Sequence, residues 1–427
     1  MTGGAAGGGY GELVRRNPNF RYLWFSQIVS LLGDWFNLIA SASLVASLTG
    51  SGTAIGSLFV VRMLAPFLVA PFAGVAADRY NRKHLLIATD LVRAAVVFCF
   101  LLVRDADDVW LLYALTALQL GISGFAVPAR NAILPDIVGR GQLGAANALI
   151  SATWSVMLAL GTALGGLVSG HFGIYPAFFI DALTFLGSAA LLVLVSYQHT
   201  PGLVAHARGV VNVFRQYGEG LRYMGRHSDI LVLALHKPLN SLFFSGGFQV
   251  IQVVLAERVF VLGEGGGVSM GILFAMTGIG TGIGPIWARR YTGDRDYPLR
   301  IAVGLAYLLA AAGIALTAPL IAFWVVLMGM FLRGFGGGVI WVFSTQLLYH
   351  NLPDEMRGRV FATEFAMFSL ASALSAAAVG WALDSTGLGL SGVLLVMAVL
   401  GAIPGVLWLA WTMRGKSQPQ MDSDEHR

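Results

Sequence analysis

The sequence predicts an all-α membrane protein of twelve transmembrane helices in two related six-helix bundles. Three observations carry that expectation. The 427 residues are 56% hydrophobic and only 11% charged, where soluble domains hold roughly 25% charged residues. Apolar stretches recur twelve times, each near or above the ~20 residues a spanning helix needs. A Pro-Asp pair also recurs: Pro135-Asp136 follows the fourth stretch and Pro353-Asp354 the tenth, the same place in each half.

The elements follow in order. Residues 1–20 are Gly-rich without an apolar core, so no cleaved signal peptide is expected, and Arg15-Arg16 reads as a juxtamembrane anchor. The stretches lie near 21–48, 53–76, 84–104, 109–129, 142–169, 175–197, 229–256, 267–288, 298–318, 320–348, 360–384 and 390–412. Lipid offers no partner to open backbone, so runs this long are read as helices. Residues 199–228 form the longest polar stretch, with Val213, Phe214, Tyr217, Leu221 and Met224 at helical spacing. That spacing reads as an interfacial helix whose arginines meet lipid headgroups, with a solvated linker as the alternative. The expected division is a tail over 1–20, bundles over 21–198 and 229–412, a linker over 199–228 and a tail over 413–427.

Charge sets the orientation. With the N-terminus inside, most of the 27 Lys and Arg fall in inner loops, while the outer side holds little beyond Arg104 and Arg258 beside acids. Both termini are therefore expected in the cytoplasm. A net charge of +5 spread over short loops gives no nucleic-acid signal. The single cysteine, Cys99, can form no intrachain disulfide and has no metal-ligand neighbours. No nucleophile–base pair, His-rich set or phosphate-binding Gly loop stands out, so neither enzyme chemistry nor a cofactor or metal is expected.

The loop between the second and third stretches reads Gly74-x3-Asp78-Arg79-x2-Arg82-Lys83. A short cytoplasmic loop is basic anyway, but that rule does not explain an aspartate at the membrane edge one turn after a glycine. The pattern resembles the signature of the major facilitator superfamily. Asp90-Leu-Val-Arg93, Pro128 to Asp136 and Glu219-Gly-Leu-Arg-Tyr223 look like a subgroup of enterobactin-exporter-like and macrolide-efflux-like permeases.

The resemblance implies two bundles that rock about a central cavity, with helices 2 and 11, and 5 and 8, as sliding seams. Small residues at Gly161, Gly165, Gly166 and Gly170, at Gly278, Gly280, Gly282 and Gly284, and from Ser369 to Gly380 suit close approach. The span 5 glycines partly match the family's antiporter signature, with Thr162 where it has proline. Asp78 would latch the inner gate by capping the start of helix 11, a contact of roughly 0.3–2 kcal/mol. Gly74 would admit the close approach, and Arg79, Arg82, Arg357 and Arg359 would add to or redirect the attraction.

Ionisable residues inside spans usually face a cavity or a partner. Asp34 and Arg62, the latter about 14 Å below the outer end of its helix, overlap in depth and are expected to pair. Asp34 then takes a proton or a cationic group, or the pair is permanent structure. Asp90 and Arg93 read as a local pair, and Asp181 as a proton site or an interhelical hydrogen bond. The resemblance implies a cavity lined by helices 1, 4, 7 and 10, offering Gln119, Lys237, Asn240, Gln249, Gln252, Arg333 and Gln346 with Phe243, Phe244, Trp341 and Phe343. Lys237-Pro238 suggests a helix break, and Arg130 a brace at the inner end of span 4 with Asp136 or a lipid phosphate.

Together these predict a monomeric, multi-pass transporter of the bacterial plasma membrane. It would export a bulky amphiphile such as a drug or siderophore, coupled to protons and in contact with membrane lipids. A lipid or lysolipid flippase is the alternative of the same fold, and a non-transporting sensor or assembly partner the alternative of another class.

Overall fold

The computed structural model describes residues 10–139, 142–197 and 210–415, and among these the regular structure is entirely helical. Twelve helices are long and apolar enough to cross a membrane. They are α1 (Pro18–Thr49), α2 (Gly52–Arg79), α3 (Arg82–Cys99), α4 (Val109–Ile137), α5 (Leu143–Phe172) and α6 (Ile174–Val193). After the linker come α7 (Ser228–Val259), α8 (Gly267–Thr292), α9 (Asp296–Thr317), α10 (Phe323–Asn351), α11 (Asp354–Ser385) and α12 (Gly389–Gly415). An even number of alternating spans leaves the described chain ends on one side of the bundle, the terminal face; the opposite side is the far face.

Local chemistry fixes several helix ends. Asn17 accepts the Phe20 N–H and Pro18 opens α1, a proline position where the missing N–H is no loss. Gly50 ends α1 at φ 55°, the left-handed conformation that favours glycine. Ser51 follows at once and caps α2 through the Ala54 N–H. The α1–α2 turn is thus only Gly50 and Ser51, and it sets the C-terminus of one helix beside the N-terminus of the next. Asn81 caps α3 by accepting from the N–H groups of Lys83 and His84.

In the first half α1 packs on α5 and α6, and α4 on α2 and α3; in the second, α7 packs on α11, and α10 on α8 and α9. The halves meet along two seams, α2 with α11 and α5 with α8. Glycine makes both possible towards the far face. A Cβ on Gly166 would lie 2.6 Å from both the Gly267 carbonyl and the Gly271 Cα, and one on Gly56 would lie 2.6 Å from the Ala376 carbonyl. Gly280 and Gly284, expected on the α5–α8 seam, instead admit Phe331 and Phe335 of α10. Ser372 and Ser375 of α11 meet Gly246 and Gly247 of α7 within the second half.

Pro238 lies inside α7, which is irregular: it breaks after Ala234 and widens over Ser241–Ser245 and again over Leu255–Val259. Before it, a linker helix (Val210–Arg226) lies on the start of α11, where Gly220 admits the Arg359 carbonyl and Glu219 pairs with Arg359 at 3.1 Å. Residues 1–9, 140–141, 198–209 and 416–427 lie outside the described residues, and so do the side chains of Asp78, Val213, Phe214 and Asp354. The expected latch through Asp78 falls on one of these.

Candidate functional site

The two seams differ along their length. Far-face glycines are tightly packed, whereas a Cβ on Gly74, Gly144, Gly282 or Gly358, in the terminal-face parts of the same four helices, would meet nothing within 4 Å. Among the described residues, side-chain bonds between the halves gather at the far face. Asp384, near the end of α11, accepts the Ser51 hydroxyl at 2.7 Å and the N–H groups of Gly52 and Thr53, each at 2.8 Å. It thereby caps the N-terminus of α2 across the interface. Arg258, near the end of α7, donates to the Gly50 carbonyl at the C-terminus of α1. An acid on the positive end of one helix and a base on the negative end of its neighbour are both favourable. Deeper, Ser43 of α1 donates to the Met270 sulfur of α8. The molecule is shut at the far face and parted at the terminal face.

A cavity of about 450 Å³ lies on the parted side, within the first half. Its walls come from α1, α2, α4 and α5, rather than from helices 1, 4, 7 and 10 as the resemblance implied. Asp34, Trp35 and Arg62 lie deepest, while Gln27, Arg130, Asn131 and Ser151 line the part nearer the terminal face. Trp154 and Val127 are 48% and 61% exposed, so this wall is open. Towards the far face α1 is buried continuously from Phe36 to Ala46, which floors the cavity.

Asp34 pairs with Arg93 of α3, not with Arg62. Depth along a helix is legible in sequence, but rotation is not, and α3 turns Arg93 inward. Arg93 is 2% exposed, stands 3.8 Å from Asp90, and lies over the Phe185 ring with its guanidinium carbon 3.9 Å from the centroid. Asp90 also accepts the Ser188 hydroxyl at 2.6 Å, tying α3 to α6. Asp181 is fully buried against Gly33 close to Asn37, and neither carboxylate oxygen has a hydrogen-bond partner of good geometry among the described residues. Gln119 is buried with its carbonyl oxygen unpartnered.

The loop bases serve their own half. Arg82 bonds Asp136 at 2.6 Å and the Ala132 carbonyl at 3.0 Å, and Lys83 donates to the Val193 carbonyl at 2.8 Å. Asp136 is therefore the partner of Arg82, and Arg130 lines the cavity instead of bracing on it. Asp136 also accepts from the Tyr197 hydroxyl at 3.0 Å; burial, then that bond, push the Tyr197 pKa up. Arg79 is exposed at the end of α2, and Arg357 donates to the Tyr349 carbonyl at 3.1 Å.

In the second half Lys237 pairs at 2.7 Å with Glu364 of α11, an acid the sequence reading passed over, and stands 4.9 Å from the Trp341 ring centroid. Asn240 is buried nearby with its amide oxygen unpartnered. Arg333 donates to the Phe244 carbonyl in the widened turn of α7 and to Thr277 of α8, and stacks over Phe248. Phe244 is fully buried between Tyr307 and Gly401, away from the cleft. Gln346 lies near the terminal face, donating to Asp294 at 2.7 Å; that bond, then Arg289, lower the Asp294 pKa. Among the described residues no cluster of His, Cys, Asp and Glu could hold a metal ion.

Residues 23–376 and 268–427 match the sequence model of the Major Facilitator Superfamily. An uncharacterized MFS-type transporter of Bacillus subtilis (strain 168), YfiS, is 26% identical over 410 residues, covering 92% of this chain and 94% of its own. The putative bacilysin exporter BacE of Bacillus subtilis is 23% identical over 357 residues, covering 84% of this chain and 87% of its own. The crystal structure of the nucleoside transporter NupG superposes with a TM-score of 0.70 at 12% identity over 92% of this chain and 98% of that one, a likeness of fold.

Proposed function

The chain belongs to the major facilitator superfamily and is a secondary transporter of that type, and on that premise we propose that it exports bulky amphiphilic compounds in exchange for protons. The observation that carries the reading is the cavity at Asp34, open towards the terminal face while the far seam is shut. In this reading the terminal face is the cytoplasmic one of a bacterial cell, and the basic loops support that orientation. Substrate enters there, settles against Trp35 and Trp154, and leaves after the far seam parts. The name of one relative, a putative exporter, supports the direction. The subgroup likeness of Asp90 to Arg93 and of Pro128 to Asp136 supports a drug or siderophore as cargo.

Asp34 is the coupling group in this reading. A proton on its carboxylate removes the charge that holds Arg93 across from α1. Arg93 then turns wholly to Asp90, 3.8 Å away, and the hold between α1 and α3 loosens. The balance of states shifts only by the difference in proton affinity between them. Asp78 latches the terminal face in the opposite state, against the start of α11. The protein acts as a monomer.

Reconstituted protein in liposomes with an imposed pH gradient tests this, using a fluorescent amphiphilic dye as cargo. Proton-driven dye flux is expected, and Asp34→Asn should reduce it by more than about tenfold, as loss of an essential proton carrier does. Full flux in that variant would remove Asp34 from the role. A second reading, lipid translocation, draws on an apolar groove of about 430 Å³ between α7 and α12, lined by Leu239, Phe243, Ile403 and Trp408. Lipid movement indifferent to the pH gradient would select it.

A further inference from the structure

The cavity is unevenly charged. It holds one acid, Asp34, and two bases, Arg62 and Arg130. Asp34 is already answered from outside the cavity by Arg93. Arg62 and Arg130 have no carboxylate within 4 Å among the described residues, and Arg62 Nη1 and Arg130 Nε are buried without any hydrogen-bond partner. A guanidinium without a paired carboxylate is costly beside a cavity, and an anion in the cavity that both arginines line offsets their charge.

Arg62 sits ~15 Å along α2 from Gly52, and Arg130 about 10 Å from the terminal-face end of α4, at ~1.5 Å per residue. They mark the base and the mouth of one passage and do not grip a single small group together. Between base and mouth stand Trp35 and Trp154, edge to face with ring centroids 6.1 Å apart. The buried Trp35 Nε1 and Gln27 Oε1 also lack partners.

We infer that Arg62 is the anion-holding arm of the substrate site, with Arg130 as the cation at its entrance. The cargo is then an organic acid: a carboxylate on an aromatic or broad apolar body that lies against Trp35 and Trp154. This rests on the transporter reading and narrows its amphiphile to an anionic one. A cationic cargo meets two unpaired arginines and an aspartate that is already taken.

The test is binding to the purified full-length protein in neutral detergent, read by quenching of tryptophan fluorescence. The probes are 1-naphthoate, its uncharged amide 1-naphthamide, and the cation tetraphenylphosphonium. Naphthoate should bind at least about tenfold tighter than naphthamide, the usual scale for a charge-assisted contact. Arg62→Gln should weaken naphthoate to the level of the amide, Arg62→Lys should keep part of the preference, and Arg130→Gln should weaken naphthoate a few-fold. Thermal unfolding identifies a variant that fails to fold, in which case Arg62→Lys and Arg130→Gln decide. Equal affinity for naphthoate and naphthamide overturns the inference, as do tighter binding of tetraphenylphosphonium, binding of neither naphthyl probe, or an undiminished preference in the folded Arg62 variants. Selective binding without flux counts against transport alone, and flux without anion preference counts against this inference alone.

Discussion

The two ends of the α2–α11 seam are built from the same two helices and behave in opposite ways. At the far face Gly56 lies against the Ala376 carbonyl and Asp384 caps the first turn of α2 with three hydrogen bonds. At the terminal face a Cβ on Gly74 would meet nothing, and Arg82 turns back to Asp136 in its own bundle. Yet each helix carries an acid near its C-terminal end, Asp78 on α2 and Asp384 on α11. Close approach and an acid on the opposing helix tip work together at the far face.

The largest effect should come from the far seam itself. Gly56→Leu sets a side chain where even a methyl has no room, and overpacking of that kind destabilises by ~1–3 kcal/mol or more. A cysteine introduced at Asn37, on a background with Cys99 replaced, should become reactive to a membrane-impermeant maleimide from the far side. If Asn37 stays protected, the contact at Gly56 is not what closes that face.

A smaller effect is expected from Asp384→Asn, which keeps an acceptor but removes the charge. Loss at an exposed helix cap is worth ~0.5–2 kcal/mol, and 1.4 kcal/mol is about tenfold in the balance of open and closed forms. The same maleimide assay reads it. Labelling like that of the parent would mean that backbone packing closes this end unaided.

The smallest effect is at the other end. Gly74→Leu should change the thermal unfolding of the form described here by no more than ~0.5 kcal/mol, since the new side chain meets only open space. It should impede closure of the terminal face and hold this form more tightly. A large loss of stability would show that the terminal end of the seam is packed after all, and the contrast would fail.

Much of the fold was legible in the sequence. Span length and apolarity identified all twelve helices, and Gly166 and Gly170 marked the α5–α8 seam because lipid leaves close packing to drive helix association. The site was less legible. Asp34 and Arg62 share a depth, but only rotation about α3 shows that Arg93 is the residue Asp34 meets. Glu364, inside the eleventh apolar stretch, was hidden for the same reason, since only the packing of α7 on α11 shows that it meets Lys237. Trp35 and Trp154 looked like ordinary apolar span residues, since an aromatic on a wall and one in a core share a sequence pattern. Asp384 sat at a span boundary, and nothing local indicates that the N-H groups it caps belong to the other half of the chain.

The Gly50–Ser51 turn is held by one positive and one negative side chain, Arg258 and Asp384, both from the second half. Whatever displacement separates them from the turn moves opposite charges together. A single elementary charge carried across the membrane responds with ~2.3 kcal/mol per 100 mV, but this couple is electrically silent. The charges of these two side chains cancel, so the pair itself gives the resting voltage of the cell no lever on the far closure.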